Sequence, residues 1–210
     1  MHALYGFVRG ADEIVDGAGR AEEPAARLAA LDAWELALER GLAGGTSDHP
    51  VIAALVDAGL RLDLPLDELR GYIRSMRVDC GPVRIATQAE LDRYMDGSAA
   101  SVGRIMAAIL GARREAETFG RLGVAFQLTN FVRDVRVDYE LDRIYLPAEE
   151  LERFGVDAAA LGLVSATPQL RALLSAEVGR ARGLFGETAT AVSPKSARAR
   201  PTSTESKARS

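Results

Sequence analysis

The residues best placed to do chemistry in this sequence are two pairs of aspartates. Asp134 and Asp138 form one pair, and Asp12 and Asp16 repeat the i, i+4 spacing near the N-terminus. On a helix, positions i and i+4 share a face, so each pair would present two carboxylates side by side. Like charges at that spacing cost roughly 0.2–0.5 kcal/mol, and a bound cation reverses the sign. Mg²⁺ takes one or two carboxylates and completes its octahedron with waters and phosphate oxygens. Two such pairs facing each other across a cavity would hold Mg²⁺, with Mn²⁺ as an alternative, around a diphosphate. The metal would then stabilise charge on the diphosphate as its C–O bond breaks. Arg9 and Arg133 stand a turn or less from the pairs and could hold diphosphate oxygens through charge-assisted hydrogen bonds. Gln127 and Asn130 lead into the second pair, among Phe126, Leu128, Val132, Val135 and Val137. Polar groups in so apolar a run need partners, because burying one unpaired costs on the order of a few kcal/mol. A lone Asp-x-x-x-Asp most often marks a solvated helix face. Two of them, each in an apolar helix beside an arginine, favour the metal reading.

The elements that must position these groups read as helices throughout. Leu4, Phe7, Val8, Ala11, Ile14 and Val15 give residues 1–18 a helical period. Pro24 opens a second helix to about Arg40, followed by a Gly/Ser/Thr loop. A third runs from His49-Pro50 to about Leu62, and a fourth starts at Asp67 and carries Leu69, Tyr72, Ile73 and Met76. Thr87 and Glu90 form a capping box for a helix that should reach about Leu110. Its middle, 97–103, is all small residues, which points to something approaching the backbone closely, since each helical glycine costs about 0.8–1 kcal/mol against alanine. Residues 115–139 form the helix of the second pair. An extended connector, 142–147, a short helix over 148–154 and a last helix from Thr167-Pro168 through Leu184 complete the chain. No period-2 alternation stands out, so the expected class is all-α, one helical domain over 1–192.

Composition narrows the function classes. The chain has 210 residues, 48 % hydrophobic, with a formal charge of −4, which argues against a nucleic-acid surface. Apolar runs are too short or too often interrupted for a membrane span. Asp12, Glu13 and Asp16 occupy the place of a signal-peptide core. A single cysteine, Cys80, excludes an internal disulfide framework and suits a reducing cytoplasm. Residues 193–210 are Ser-, Ala- and Arg-rich, with Lys195, Arg198, Arg200, Lys207 and Arg209 against Glu205 alone. They read as a disordered basic tail, which could touch anionic lipids as a peripheral membrane contact. Oligomeric state is not legible. His2 and His49 sit in no ligand-like cluster, and Cys80 reads as a core thiol.

The wording around both acidic pairs adds a resemblance. The run LYGFVRGADEIVD, Leu4 to Asp16, resembles the first signature of the squalene/phytoene synthase family, and FQLTNFVRDVRVD, Phe126 to Asp138, followed by RIYLP, Arg143 to Pro147, resembles the second. The stretch Tyr94 to Gly103 looks like the bacterial phytoene synthase form of the small-residue helix. The resemblance covers about residues 1–192. It implies the helical isoprenoid-synthase fold around a central cavity, and head-to-head joining of two geranylgeranyl diphosphates through prephytoene diphosphate to phytoene. By the same resemblance Asp12, Asp16, Asp134 and Asp138, with Asn130, match the Mg²⁺-diphosphate side. Tyr5, Arg9, Arg133, Arg143 and Tyr145 match diphosphate-side positions, and Gln127 and Asn130 the polar positions before the second pair. Tyr94, Ser98, Ala99 and Gly103 match positions lining the prenyl channel.

Plainer readings stand beside these. Tyr5 and Tyr94 could be core aromatics with a polar handle, and Ser98, Ala99 and Gly103 could serve helix packing alone. A squalene or dehydrosqualene synthase using farnesyl diphosphate is the nearest alternative, and a remnant that only binds Mg²⁺-diphosphate is another. The family has a helix before the first motif and a further long helix after the last. The sequence carries neither pattern, so it is expected to be truncated at both ends.

Overall fold

The computed structural model describes residues 1–192, so the expected basic tail, 193–210, lies outside the described residues. Nine α-helices are found there: α1 (His2–Asp16), α2 (Pro24–Gly44), α3 (Pro50–Leu62), α4 (Glu68–Val78), α5 (Gln88–Met95), α6 (Ser101–Ile109), α7 (Ala116–Glu140), α8 (Ala148–Phe154) and α9 (Pro168–Val192). The all-α expectation holds. Two two-residue strands are the exception, β1 (Val83–Arg84) and β2 (Arg143–Ile144), paired in parallel with Val83 opposite Arg143. They are too short to show any alternation in sequence.

Local chemistry sets most boundaries. Pro24 and Pro50 occupy first helical turns, where a missing N–H costs nothing. The second helix runs past Arg40 to Gly44 and stops at Gly45, whose φ of 73° favours glycine. Thr87 caps α5 by accepting from the Glu90 backbone N–H at 3.3 Å, while the Glu90 carboxylate accepts from Ala86 N–H at 2.6 Å. The reciprocal bond of the capping box is thus displaced by one residue.

The small-residue helix departs most from expectation. It is not one α-helix to Leu110: a π-turn, Asp96–Ala100, separates α5 from α6. The cause is a double crossing. A Cβ on Gly97 would lie 2.2 Å from Ser75 Oγ and 2.5 Å from the Gly71 carbonyl on α4, and one on Gly103 would lie 2.3 Å from the Phe119 carbonyl on α7. The segment is squeezed between two backbones, and one wide turn lets it meet both.

Three apolar clusters form around this sandwich. One joins α1, α2, α3 and α4 through Phe7, Leu31, Leu38, Ile52, Leu55, Leu69 and Ile73. A second joins α5, α7 and the connector through Leu91, Met95, Leu128, Phe131 and Tyr145. The third packs α8 and α9 under Ile144 and Leu146. Cys80 is buried, as a core thiol should be. No helix among the described residues is long and apolar enough to cross a membrane.

Candidate active site

Between the first two clusters lies a cavity of about 640 Å³, lined by residues of α1, α4, α5, the π-turn, α7 and β2. All four aspartates line it: Asp12 and Asp16 from α1, Asp134 and Asp138 from α7. Their environments differ. Asp12 accepts from the Tyr72 hydroxyl at 2.6 Å. Burial raises its pKa above the usual carboxylate range even against that bond, and Asp16 adds to the rise. Asp16 is gripped by both terminal nitrogens of Arg143, at 2.6 and 3.0 Å. Asp134 is held below the usual range by the Arg133 guanidinium, whose donors stand 2.6 and 2.7 Å away. Asp138 is pushed up to about 6, first by burial and then by the neighbouring Asp134 charge. Four carboxylates in one concave site, with Asp12 and Asp138 raised by burial, mark a candidate place to receive positive charge.

The other residues sort by position. Arg9, Arg133, Arg143, Tyr94, Ser98, Gln127, Asn130 and Tyr145 all line the cavity. Arg9 pairs with Glu13 on the exposed side of α1. The Ser98 hydroxyl oxygen is buried without a hydrogen-bond partner. Three residues are not brought there. Tyr5 shares a helix face with Asp12, but sits seven residues along the axis, roughly 10 Å, and is 67 % exposed outside the cavity. Ala99 is buried against the crossing helices, and Gly103 is the contact point of α6 with α7. Neither lines the cavity, and in the structure both make close helix-packing contacts.

Sequence reasoning missed Tyr72 and Asp79. Both line the cavity from the α4 side, and their signal was the spacing Tyr72, Met76, Asp79, which places them on one helix face. Asp79 follows the last residue of α4, a position where an aspartate carries no signal of its own.

Among the described residues no three His, Cys, Asp or Glu side chains converge closely enough to hold an ion by themselves. An all-protein cage is therefore absent from the described residues. One or two carboxylates per ion, completed by phosphate oxygens and water, is the arrangement Mg²⁺ favours, and the two pairs fit it.

The family model described as squalene/phytoene synthase matches residues 1–204. The chain belongs to the squalene/phytoene synthase family. Within the family it is 40 % identical over 189 residues to a phytoene synthase of Thermus thermophilus, covering 88 % of this chain and 62 % of the relative. It is 36 % identical to a 15-cis-phytoene synthase of Synechocystis, over 87 % of this chain and 57 % of the relative. It is 35 % identical to a presqualene diphosphate synthase of Zymomonas mobilis, over 74 % and 53 %. The chain thus spans less than two thirds of these relatives' lengths. Among solved structures, a dehydrosqualene synthase superposes with a TM-score of 0.81 at 29 % identity, covering 90 % of this chain and 65 % of that one. A squalene synthase from Alicyclobacillus acidocaldarius gives 0.80 at 32 %, covering 94 % and 74 %. The helical isoprenoid-synthase fold is shared with these enzymes.

Proposed function

We propose that this chain is a phytoene synthase-type prenyltransferase that joins two geranylgeranyl diphosphates head to head. The observation that carries the reading is that both carboxylate pairs line one cavity together with the aromatic side chains of Tyr94, Phe131 and Tyr145. The phytoene synthases among its relatives support the substrate class. Asp12, Asp16, Asp134 and Asp138 would hold Mg²⁺, with Asn130 beside them, and the metal would supply charge neutralisation for the departing diphosphate.

The chain's own residues do the rest. Arg9 and Arg133 sit in ion pairs at the cavity's exposed edge, where they can exchange a carboxylate for a diphosphate oxygen at little cost, because such surface pairs contribute about 0–1 kcal/mol. Arg143 fixes Asp16 from a buried position. Gln127 and Asn130 add neutral polar contacts along α7. Tyr94, Phe131 and Tyr145 line the cavity with aromatic side chains, of the kind that favours cations and keeps water from them. In each half of the reaction a diphosphate departs with its bonding electron pair and a proton is lost from the joined carbon skeleton. The first half gives the cyclopropyl diphosphate and the second gives phytoene.

A second reading has its own support. The presqualene diphosphate synthase relative and the dehydrosqualene and squalene synthase structures favour a C15 substrate. One experiment separates the readings: purified, folded protein is supplied with Mg²⁺ and either geranylgeranyl or farnesyl diphosphate, and the hydrocarbon products are identified. Phytoene from the C20 substrate is expected. Faster turnover of the C15 substrate would shift the assignment to the squalene branch. No product from either would reject prenyl transfer by this chain.

A further inference from the structure

The cavity is also lined by Asp79, a carboxylate outside both acidic pairs. It is 5 % exposed. Its two oxygens accept from two phenols, Oδ2 from the Tyr94 hydroxyl and Oδ1 from the Tyr145 hydroxyl, each at 2.7 Å. The three residues come from separate parts of the chain: the end of α4, α5, and the connector after β2. Arg143 ties the same residue to the aspartate pairs, donating 2.7 Å to the Asp79 carbonyl while gripping Asp16. The Tyr145 ring stacks on Phe131 at 4.4 Å, and the Tyr94 ring lies 5.3 Å from Tyr145.

A phenol has one O–H and two lone pairs. Both O–H groups here are committed to Asp79. Neither Tyr94 nor Tyr145 can then donate to a diphosphate; the two phenols also adjoin each other, and what remains on their oxygens is lone-pair density. Burial pushes Asp79 up to about 6, with the two phenols and Arg143 pulling down, so above that pH it is the acceptor for both hydroxyls.

We propose that Asp79 is a positioning residue that takes both phenolic hydrogens and so leaves Tyr94 and Tyr145 with only lone pairs to offer the cavity. There they oppose the positive charge that develops on the prenyl carbon, and the Arg143 link keeps them in register with the aspartate that faces the diphosphate. This rests on the prenyl-transfer reading above. A plain structural fastener would make the same contacts, so the test needs readouts that fastening alone does not move.

The test variant is Asp79→Asn in the full chain. An amide has one acceptor oxygen, and its nitrogen only donates, so at most one phenol keeps an acceptor of the original kind. The expected result is a fall in kcat of about 100-fold, the scale of a misplaced catalytic geometry, with KM for the prenyl diphosphate within about threefold. In a Tyr94→Phe/Tyr145→Phe background the same substitution should cost less than about threefold more, because the groups it positions are gone. Near-normal kcat in Asp79→Asn, or its full loss repeated in the double-phenylalanine background, overturns the proposal. If Asp79→Asn does not fold, the single Tyr94→Phe and Tyr145→Phe variants decide, and kcat near wild type in both rejects it. A measurement without turnover separates this from failure of the prenyl-transfer reading. In Cζ-labelled tyrosine NMR spectra, the Tyr94 and Tyr145 signals should move in Asp79→Asn, while the exposed Tyr5 signal stays. Stationary Tyr94 and Tyr145 signals refute the arrangement whether or not the wild type makes product.

Discussion

Replacing Gly103 by alanine tests whether the small residues of α6 answer to packing or to a channel. An added Cβ would lie 2.3 Å from the Phe119 carbonyl oxygen, 2.8 Å from its carbon and 3.1 Å from Gly120 Cα. All three are backbone atoms of α7, so no side chain can swing away. Relief requires α6 and α7 to separate by about an ångström, and because the atoms met are all backbone the cost falls in the upper part of the overpacking range, about 2–3 kcal/mol. Alanine returns about 0.8–1 kcal/mol of helix propensity, leaving a net loss near 1–2 kcal/mol. For a domain of this size each kcal/mol moves Tm by about 2–4 °C, so Gly103→Ala should melt roughly 2–8 °C below wild type, followed by far-UV circular dichroism without ligand. Gly179→Ala is the control. It lies within α9 with nothing within 4 Å of its would-be Cβ, and should melt slightly higher. If Gly103→Ala melts at or above wild type, the crossing is looser than argued, and a channel role for Gly103 becomes the better account.

Three further outcomes are expected. Asp12→Ala and Asp134→Ala should each abolish turnover while leaving the helical circular dichroism signal in place; near-normal rates in either would sink the metal assignment. Asp138→Asn should lose turnover yet stabilise the metal-free protein at neutral pH. Because the folded-state pKa of Asp138 is raised from 3.8 to about 6, the folded chain holds a proton that the unfolded chain has released within that window, so stability falls as pH rises through it. The Tm advantage of Asp138→Asn should therefore appear above pH 6 and vanish as pH approaches 4, and a variant melting at or below wild type at neutral pH would contradict this. Thr87→Ala removes the one hydroxyl bond to the first turn of α5 and should cost about 1 kcal/mol, seen as a Tm lower by roughly 2–4 °C.

Helix order was legible because several helices, α1, α3, α4 and α6 among them, have an apolar face of period 3.6, and prolines or glycines mark several helix ends. The family was legible because two long runs of residues, not two aspartates, carried it. What escaped the sequence depended on where the elements meet. The π-turn follows from α4 and α7 pressing on one segment, and no residue between Asp96 and Ala100 specifies it alone. Tyr5 and Asp12 share a face, so only the length of the cavity along α1 decides that one is outside it. Asp79 follows α4, where an aspartate is unremarkable until Tyr94 and Tyr145 arrive from elsewhere. Local pattern says which face a residue is on, and tertiary contact says what stands opposite.

The Arg143–Asp16 bridge joins residues 127 apart in sequence, whereas β1 and β2 join Val83 to Arg143 over about half that span. Loop-closure entropy makes the longer connection more costly by about 0.6 kcal/mol per doubling, and contacts of such separation slow folding. The helices can therefore gain most of their order before the carboxylates are brought to face each other. A chain halted at that stage would look nearly native by circular dichroism and still lack the site. For variants outside the site, ligand binding reports completed folding more fully than helical content does.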